Sequence, residues 1–226
     1  PDSDEGDTPL DRYTGSPLVD SVAALNTVLA QAQRLWFVVD RARLFERFEP
    51  HFTQQILAQM DRLQQTGTTE IFLSRPYPVP IPAEPVAPLE ANFSDVIQLQ
   101  GYSLGPAHLS PDGTLPLDLY WRATGTPARQ LKVFVQLRDA QGQIVAQADH
   151  FLLEGLLNLE VWRALQQHGE WLRDRANLRL PIPFSAEGGP YRLYVGLYDP
   201  ATLERVPLTN DTSGENAVVI DLAPLP

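Results

Sequence analysis

The residue types that could do chemistry are few and widely spaced. Four histidines stand in different predicted elements, at positions 51, 108, 150 and 168. They lack the close spacing of a zinc site, so we expect them to be structural or solvated. Asp199, Asp211 and Glu215 lie in predicted C-terminal loops and could offer oxygens to calcium, but no acidic loop repeat accompanies them. We therefore assign no metal ligand and no cofactor, and a calcium site stays an open alternative.

One carboxylate stands where α/β enzymes often hold catalytic groups. Asp40 ends a predicted buried strand, but no glycine-rich turn or second catalytic group accompanies it. No Walker loop, serine elbow or HExxH motif occurs. A helix cap or an ion pair with Arg41 or Arg43 is the simpler role for Asp40. A self-contained hydrolase, with Asp40 and another carboxylate in a cleft, is kept as an alternative, and no catalytic residue is assigned.

Aromatic side chains form the remaining candidate site. In the stretch "YRLYVGLYDP" the odd positions predict a buried strand face, which places Tyr194 and Tyr198 on the opposite face. The same alternation on other predicted strands directs Tyr120 and Phe134 outward. Outward aromatic rings could stack on sugars, or they could pack under another element of the chain. These four residues are the predicted ligand-binding set.

Composition limits the classes of partner. The chain has 226 residues and a net charge of -11, which argues against nucleic acid as a partner. It contains no cysteine, which excludes disulfides, cysteine–zinc sites and thiol catalysis. No apolar run approaches the roughly 20 residues that a membrane-spanning helix needs. The acidic, polar first residues do not resemble a signal peptide.

The N-terminal third predicts helix, strand, helix and strand in succession. Apolar spacing predicts helices over 18–33 and 50–65, and continuous apolar runs predict strands over 34–40 and 69–75. This order predicts parallel pairing through a right-handed crossover. We expect residues 1–75 to form a partial α/β segment with too few strands to bury Trp36, Phe37, Ile71 and Phe72.

A proline-rich linker and a β-sandwich follow. Residues 76–88 carry six prolines and predict an extended, stiff spacer. Alternating runs between turn signals predict an antiparallel sandwich, Ig-like or jelly-roll-like, over 89–226. The predicted strands cover residues 94–102, 115–123, 130–138, 143–151, 172–180, 190–198, 203–208 and 216–222. A short helical insertion is predicted near 158–168. The whole chain is thus predicted to be a two-part α+β protein.

Three stretches resemble a known family. The runs 96–149 and 191–208 resemble the C-terminal β-sandwich of bacterial membrane glycosyltransferases of the dolichyl-phosphate-mannose protein mannosyltransferase type. "LNTVLAQAQRLWFVVDRARLF" resembles the end of the α/β extracytoplasmic region of the same proteins. In that family, transfer from a polyprenyl-phosphate donor depends on acidic residues in a loop after the first membrane helix. Nothing in this chain matches that loop.

The resemblance implies a noncatalytic accessory domain on the extracytoplasmic face of a bacterial membrane, the parent protein being the glycosyltransferase. Its partners would be the parent membrane domain and a glycan or protein acceptor that the domain helps to position. A free carbohydrate-binding module is the alternative, with Tyr120, Phe134 and Tyr194 stacking on glycans. Because the first segment has too few strands, we expect it to dock on the sandwich or on a second copy of the chain, with the outward tyrosines serving that contact first.

Overall fold

A computed structural model describes residues 15, 19, 21–31, 34–46, 48, 50–75, 85–104, 113–156, 171–181 and 189–222. The chain divides into two compact units, Pro1–Val79 and Pro80–Pro226, called here the N-terminal and C-terminal units. Among the described residues, none of the helices combines the length and the apolar character needed to cross a bilayer. The described residues form three sheets, one in the N-terminal unit and two in the C-terminal unit, and every strand pair in them is antiparallel.

In the described part of the N-terminal unit, three helices accompany a small sheet. Its elements in chain order are α1 (Val22–Gln31), β1 (Trp36–Asp40), α2 (Arg41–Glu46), α3 (Pro50–Gln59), β2 (Met60–Thr66) and β3 (Thr69–Ser74). The strand order is β1-β3-β2, and both pairings are antiparallel. Both predicted helices and both predicted strands exist, with α3 shorter than predicted.

The predicted parallel pairing in this unit is wrong. The helix predicted over 50–65 ends at Gln59, and Met60–Thr66 forms an additional strand. Gly67 has φ +61 in the tight turn between β2 and β3. Because β3 returns from β2 through so short a turn, it runs antiparallel to β2. The pair that was predicted to be parallel, β1 with β3, is antiparallel as well.

The helices cover one face of the N-terminal sheet. Phe72 is fully buried there, and the ring of Phe37 lies 6.2 Å from that of Phe72 and 6.4 Å from that of Phe52 on α3. On the opposite face Trp36 and Val38 stay 61% and 60% exposed. The segment was predicted to have too few strands to bury its large apolar side chains. Phe72 is nevertheless buried, whereas Trp36 is exposed.

The described residues of the C-terminal unit form two four-stranded antiparallel sheets, consistent with a β-sandwich. Its strands are β4 (Ala87–Phe93), β5 (Ile97–Leu104), β6 (Thr114–Ala123), β7 (Lys132–Arg138), β8 (Ile144–Phe151), β9 (Trp171–Arg179), β10 (Arg192–Tyr198) and β11 (Val218–Asp221). Sheet A has the order β4-β5-β6-β9 and sheet B the order β11-β10-β7-β8. The core comes from alternate positions, such as Leu117, Leu119 and Trp121 of β6 and Leu193, Val195 and Leu197 of β10.

Some predicted boundaries in this unit differ from the structure. The strand predicted over 94–102 begins later, as β5 at Ile97, because Ser94 at φ 50 and Asp95 at φ 56 lie in the turn that joins β4 to β5. β4 begins at Ala87, inside the predicted linker. The strand predicted over 203–208 is wrong, because only isolated bridges form there, at Arg205 and Leu208. Residues 76–84 and the predicted helical insertion at 158–168 lie outside the described residues.

Candidate binding surface

The structure separates the four predicted aromatic residues. Tyr120 lies on β6 of sheet A and is 1% exposed, with its hydroxyl 3.5 Å from Ser103 Oγ. Burial raises the pKa of the Tyr120 hydroxyl. Phe134, Tyr194 and Tyr198 lie together on the outer face of sheet B, where Phe134 is opposite Gly196. Tyr120 therefore belongs to no common surface with the other three rings.

The outer face of sheet B carries an alternation of aromatic rings and arginines. We call it the aromatic–arginine cluster, and its members are Phe134, Arg138, Tyr194, Tyr198, Arg205 and Glu215. The Arg138 guanidinium carbon lies 4.0 Å from the Tyr194 ring centroid, and that of Arg205 lies 4.4 Å from the Phe134 centroid. At these distances each cation is attracted to the negative face of its ring. The cluster is therefore held by contacts among its own members.

Gly196 explains where the Phe134 ring lies. A Cβ atom added at Gly196 would approach Phe134 Cζ to 2.5 Å and the Asn216 carbonyl oxygen to 2.8 Å. The missing side chain on β10 thus makes room for the aromatic ring from β7. With Arg205 above it, Phe134 is only 3% exposed. Phe134 consequently organises the surface without offering a free ring face.

Glu215 joins the two arginines. Its carboxylate accepts hydrogen bonds from both terminal nitrogens of Arg138, at 2.6 and 2.8 Å, and one from Arg205 Nη1 at 3.0 Å. The hydrogen bond from Arg138 is the main reason that the pKa of Glu215 falls from 4.5 to about 2, with Arg205 adding to it against the opposing effect of burial. Charge-assisted, two-pronged bonds of this kind fix both distance and orientation.

The loop that carries Glu215 is itself held in place. Asp211 accepts hydrogen bonds from the Ser213 hydroxyl at 2.6 Å and from the Asn216 amide at 2.7 Å. Asn216 adopts a left-handed conformation with φ 52, in which asparagine is among the better tolerated residues. At the start of the loop, Asp199 accepts from the Ala201 amide and pairs with Arg129 at 3.2 Å. The loop therefore presents Glu215 at a defined position.

The same bonds bear on the calcium alternative. Asp199, Asp211 and Glu215 are each engaged by protein donors, as described above. Within the described residues, no group of three or more acidic or histidine side chains is placed to hold a metal ion. Of the four histidines, His150 has its Nε2 2.7 Å from Asp174 Oδ2, a buried pair that links β8 to β9. This pair suits a structural role.

Two further features mark the cluster. The Nε atom of Arg138 is buried and finds no acceptor among the described residues. It is one of two such atoms among the described residues, the other being Trp121 Nε1 in the core. Two guanidiniums also share one carboxylate, which leaves one excess positive charge in a chain whose net charge is -11. Strand alternation did not point to Arg138 or Arg205, and the sequence suggested Glu215 only as a possible calcium ligand.

Similarity to known proteins is weak. No family model matches the chain, and no curated protein matches it. Among solved structures, a glycosyl hydrolase family 2 member from Bacteroides cellulosilyticus shares 11% identity at a TM-score of 0.30, over 53% of this chain and 14% of that one. A β-glycosidase from Bacteroides vulgatus shares 11% identity at 0.31, over 68% and 14%. A bacterial adhesin from Mobiluncus mulieris shares 9% identity at 0.31, over 59% and 57%.

These similarities say little about this chain. The chain spans less than two thirds of the length of each of these structures. At TM-scores near 0.3 and identities of 11% or below, neither a family nor a function follows from them.

The packing of Phe134 against Gly196 gives a stability prediction. Gly196→Ala is expected to destabilise the C-terminal unit by about 1–3 kcal/mol, because the new methyl group overlaps the Phe134 ring. Urea denaturation measures the loss. If the account holds, Phe134→Leu in the same chain removes part of the penalty, so that the double variant is less destabilised than the two single changes added together. If the losses of stability of the two single variants simply add up in the double variant, the contact between Gly196 and the Phe134 ring is contradicted.

The lowered pKa of Glu215 predicts how the stability of the C-terminal unit changes as the pH falls. A folded pKa of about 2 against an ordinary 4.5 means that the carboxylate stabilises the fold fully above pH 4.5 and loses that effect as the pH falls toward 2. Glu215→Gln should therefore be less stable than the parent near neutral pH, and this difference should shrink between pH 4.5 and 2. Thermal unfolding of both proteins across that range measures it. A difference that does not change with pH would contradict the ion pairs.

Proposed function

We propose that this chain is a noncatalytic extracytoplasmic domain of a membrane glycosyltransferase that uses a lipid-linked sugar donor. In this proposal the C-terminal unit helps to position an acceptor or partner protein. The observation that carries it is the aromatic–arginine cluster, a polar and aromatic surface on the outer face of sheet B whose charged groups are ordered before any partner arrives. Order of this kind lowers the entropic cost of binding. The class of the parent enzyme is proposed from the resemblance of residues 96–149 and 191–208 to the C-terminal β-sandwich of these glycosyltransferases.

The strand order supports an immunoglobulin-like assignment of the sandwich. We infer that β5-β6-β9 and β8-β7-β10-β11 correspond to the A-B-E and C′-C-F-G sheets of that fold, with β4 as an additional edge strand. The Arg129–Asp199 pair joins the loops that follow β6 and β10. These correspond to the B–C and F–G loops, which form the binding end in immunoglobulin variable domains. The loop that carries Glu215 is the second of the two.

The geometry favours a protein partner over stacked sugar. Stacking needs an open ring face, but Phe134 is buried under Arg205, and Arg138 covers one face of Tyr194. The tyrosines and arginines of the cluster are the residue types that dominate protein interfaces. Its excess positive charge suits an acidic side chain on the partner. A carbohydrate-binding module remains the second candidate, with the half-buried Tyr194 and Tyr198 as its ring surface.

Binding assays on the intact chain distinguish the two candidates. We expect peptides with acidic residues to bind, and Tyr194→Ala and Arg205→Ala to weaken that binding about tenfold each, as central interface residues do. Tyr102→Ala and Arg179→Ala change the same residue types on sheet A and should leave binding unchanged. Glycan binding that is lost in Tyr194→Ala would favour the carbohydrate module. Binding that all four variants retain would place the partner surface elsewhere.

A further inference from the structure

The N-terminal sheet ends in an edge strand with an apolar surface. β1 pairs with β3 on one side, and no strand among the described residues pairs with it on the other. Trp36 and Val38 of this strand are 61% and 60% exposed. An exposed apolar edge strand is a template for pairing with a further strand, and proteins usually protect such edges.

The other edge of this sheet has that protection. β2 reads "MDRLQQT", with charged and amide side chains along most of its length, and its pairing with β3 is interrupted by a bulge between Arg62 and Gln64. Bulges and charged side chains both discourage edge pairing. β1 reads "WFVVD" and keeps an unbroken register with β3. The two edges differ in the features that decide whether a strand can be added.

The register shows which main-chain groups of β1 are available. The Leu35 carbonyl accepts from the Ser74 amide, and the Arg41 amide donates to the Thr68 carbonyl, both at 2.8 Å. In an antiparallel pair only every second residue exchanges main-chain hydrogen bonds with the neighbouring strand. Leu35 and Arg41 show that the odd-numbered residues of β1 are the ones bonded to β3. The amides of Val38 and Asp40 and the carbonyls of Trp36 and Val38 therefore point away from β3, toward the edge that no described strand occupies.

We propose that a second copy of this chain pairs with this edge, with β1 antiparallel to β1 about a two-fold axis at Val38. The two Val38 residues then exchange main-chain hydrogen bonds, and each Asp40 amide donates to the Trp36 carbonyl of the other copy. A two-fold axis requires a self-complementary strand, and β1 meets this requirement because its available donors and acceptors match under the rotation. The result is one continuous sheet across both copies.

Charge supports a second copy as the occupant. Because the rotation pairs Trp36 with Asp40 of the other copy, Arg34, exposed just before β1, lies diagonally across the seam from that Asp40, a separation that its long side chain can span. The Asp40 carboxylate is held at the strand end by hydrogen bonds from the Thr68 hydroxyl and the Ala42 amide. This diagonal contact joins opposite charges, and it occurs twice. The strand is only five residues long, so the buried area is small and the dimer is weak, with a dissociation constant no tighter than about 1 µM. This inference does not depend on the function proposed above.

Sedimentation of the full chain over a range of concentrations tests the pairing. We expect a reversible monomer–dimer equilibrium. Val38→Pro removes the amide at the axis, which β3 does not use, so the variant keeps its own sheet while its dissociation constant rises at least about tenfold. Val38→Thr keeps the amide and the branched side chain and should dimerise as the parent does.

A second pair of variants tests the charge contact. Arg34→Glu places like charges together across the axis and should weaken the dimer, whereas Arg122→Glu makes the same charge change on the exposed surface of β6 and should not. Circular dichroism confirms that each variant is folded. A chain that stays monomeric up to its solubility limit, or a dimer that Val38→Pro leaves unchanged, would overturn the proposal.

Discussion

Asp118→Ala is expected to destabilise the C-terminal unit by about 3–5 kcal/mol. Asp118 on β6 accepts two hydrogen bonds from Arg175 on β9, at 2.7 and 2.6 Å, and the two side chains are only 5% and 6% exposed. Arg173 is also buried nearby, and burial lowers the pKa of its guanidinium. Removing the carboxylate leaves positive charge in a nearly buried site, which costs more than the pair contributes by forming. Urea denaturation measures the change.

Two comparisons isolate the effect of the buried charge. Asp221→Ala breaks a pair with Arg192 in which both side chains are largely exposed, so we expect no measurable change. Asp118→Leu combined with Arg175→Met replaces the buried pair with apolar side chains and should restore much of the stability that Asp118→Ala loses. A loss below about 1 kcal/mol for Asp118→Ala would contradict the burial of this pair.

Removing two arginines from the N-terminal unit should have an effect of similar size. Glu70 on β3 is fully buried, and its carboxylate accepts hydrogen bonds from Arg41 and from Arg62, whose Nε lies at 2.7 Å. Arg41→Met together with Arg62→Met leaves that carboxylate without either cation, at an expected cost of about 3–5 kcal/mol. A small unit has little stability to spare, so we expect it to unfold. Hydrogen exchange at the β3 amides measures the loss of protection.

The matched control adds Glu70→Leu to the two arginine changes. Because the buried charge is then absent, the triple variant should regain protection in β3. Each single arginine change should cost less than half of the double change, since one cation still pairs with Glu70. Protection that persists in the double variant would contradict the role of the two arginines in stabilising the buried Glu70 carboxylate.

The sequence predicted most elements of the fold but not how the N-terminal strands pair. Apolar spacing located α1, β1 and β3, which bury aliphatic and aromatic residues. It failed at Met60–Thr66, where Met60 and Leu63 continue the helical spacing of α3 although the chain is a strand. Spacing alone cannot separate these states, because hydrophobic residues three apart fit either structure in a short segment. Because β2 was not predicted, the short turn at Gly67 that joins β2 to β3 was not predicted either.

The candidate surface was predicted in part. Strand alternation placed Phe134, Tyr194 and Tyr198 on the outer face of sheet B, as the register shows. It could not show that Arg205 covers Phe134, because Arg205 and Glu215 belong to a loop whose course depends on bonds between distant residues. Tyr120 follows the same alternation on sheet A but is buried. Alternation gives the face of a strand, and tertiary contacts decide whether that face is open.

The most direct test of the proposed function is the size and location of the native protein. An antibody raised against this chain, which has a mass of 25.2 kDa, can be used on fractionated cells of the source organism. We predict a much larger protein in the membrane fraction that detergent releases, with the epitope accessible to protease from the extracytoplasmic side. A protein of about the mass of this chain, found in the cytoplasmic fraction without detergent, would contradict the account.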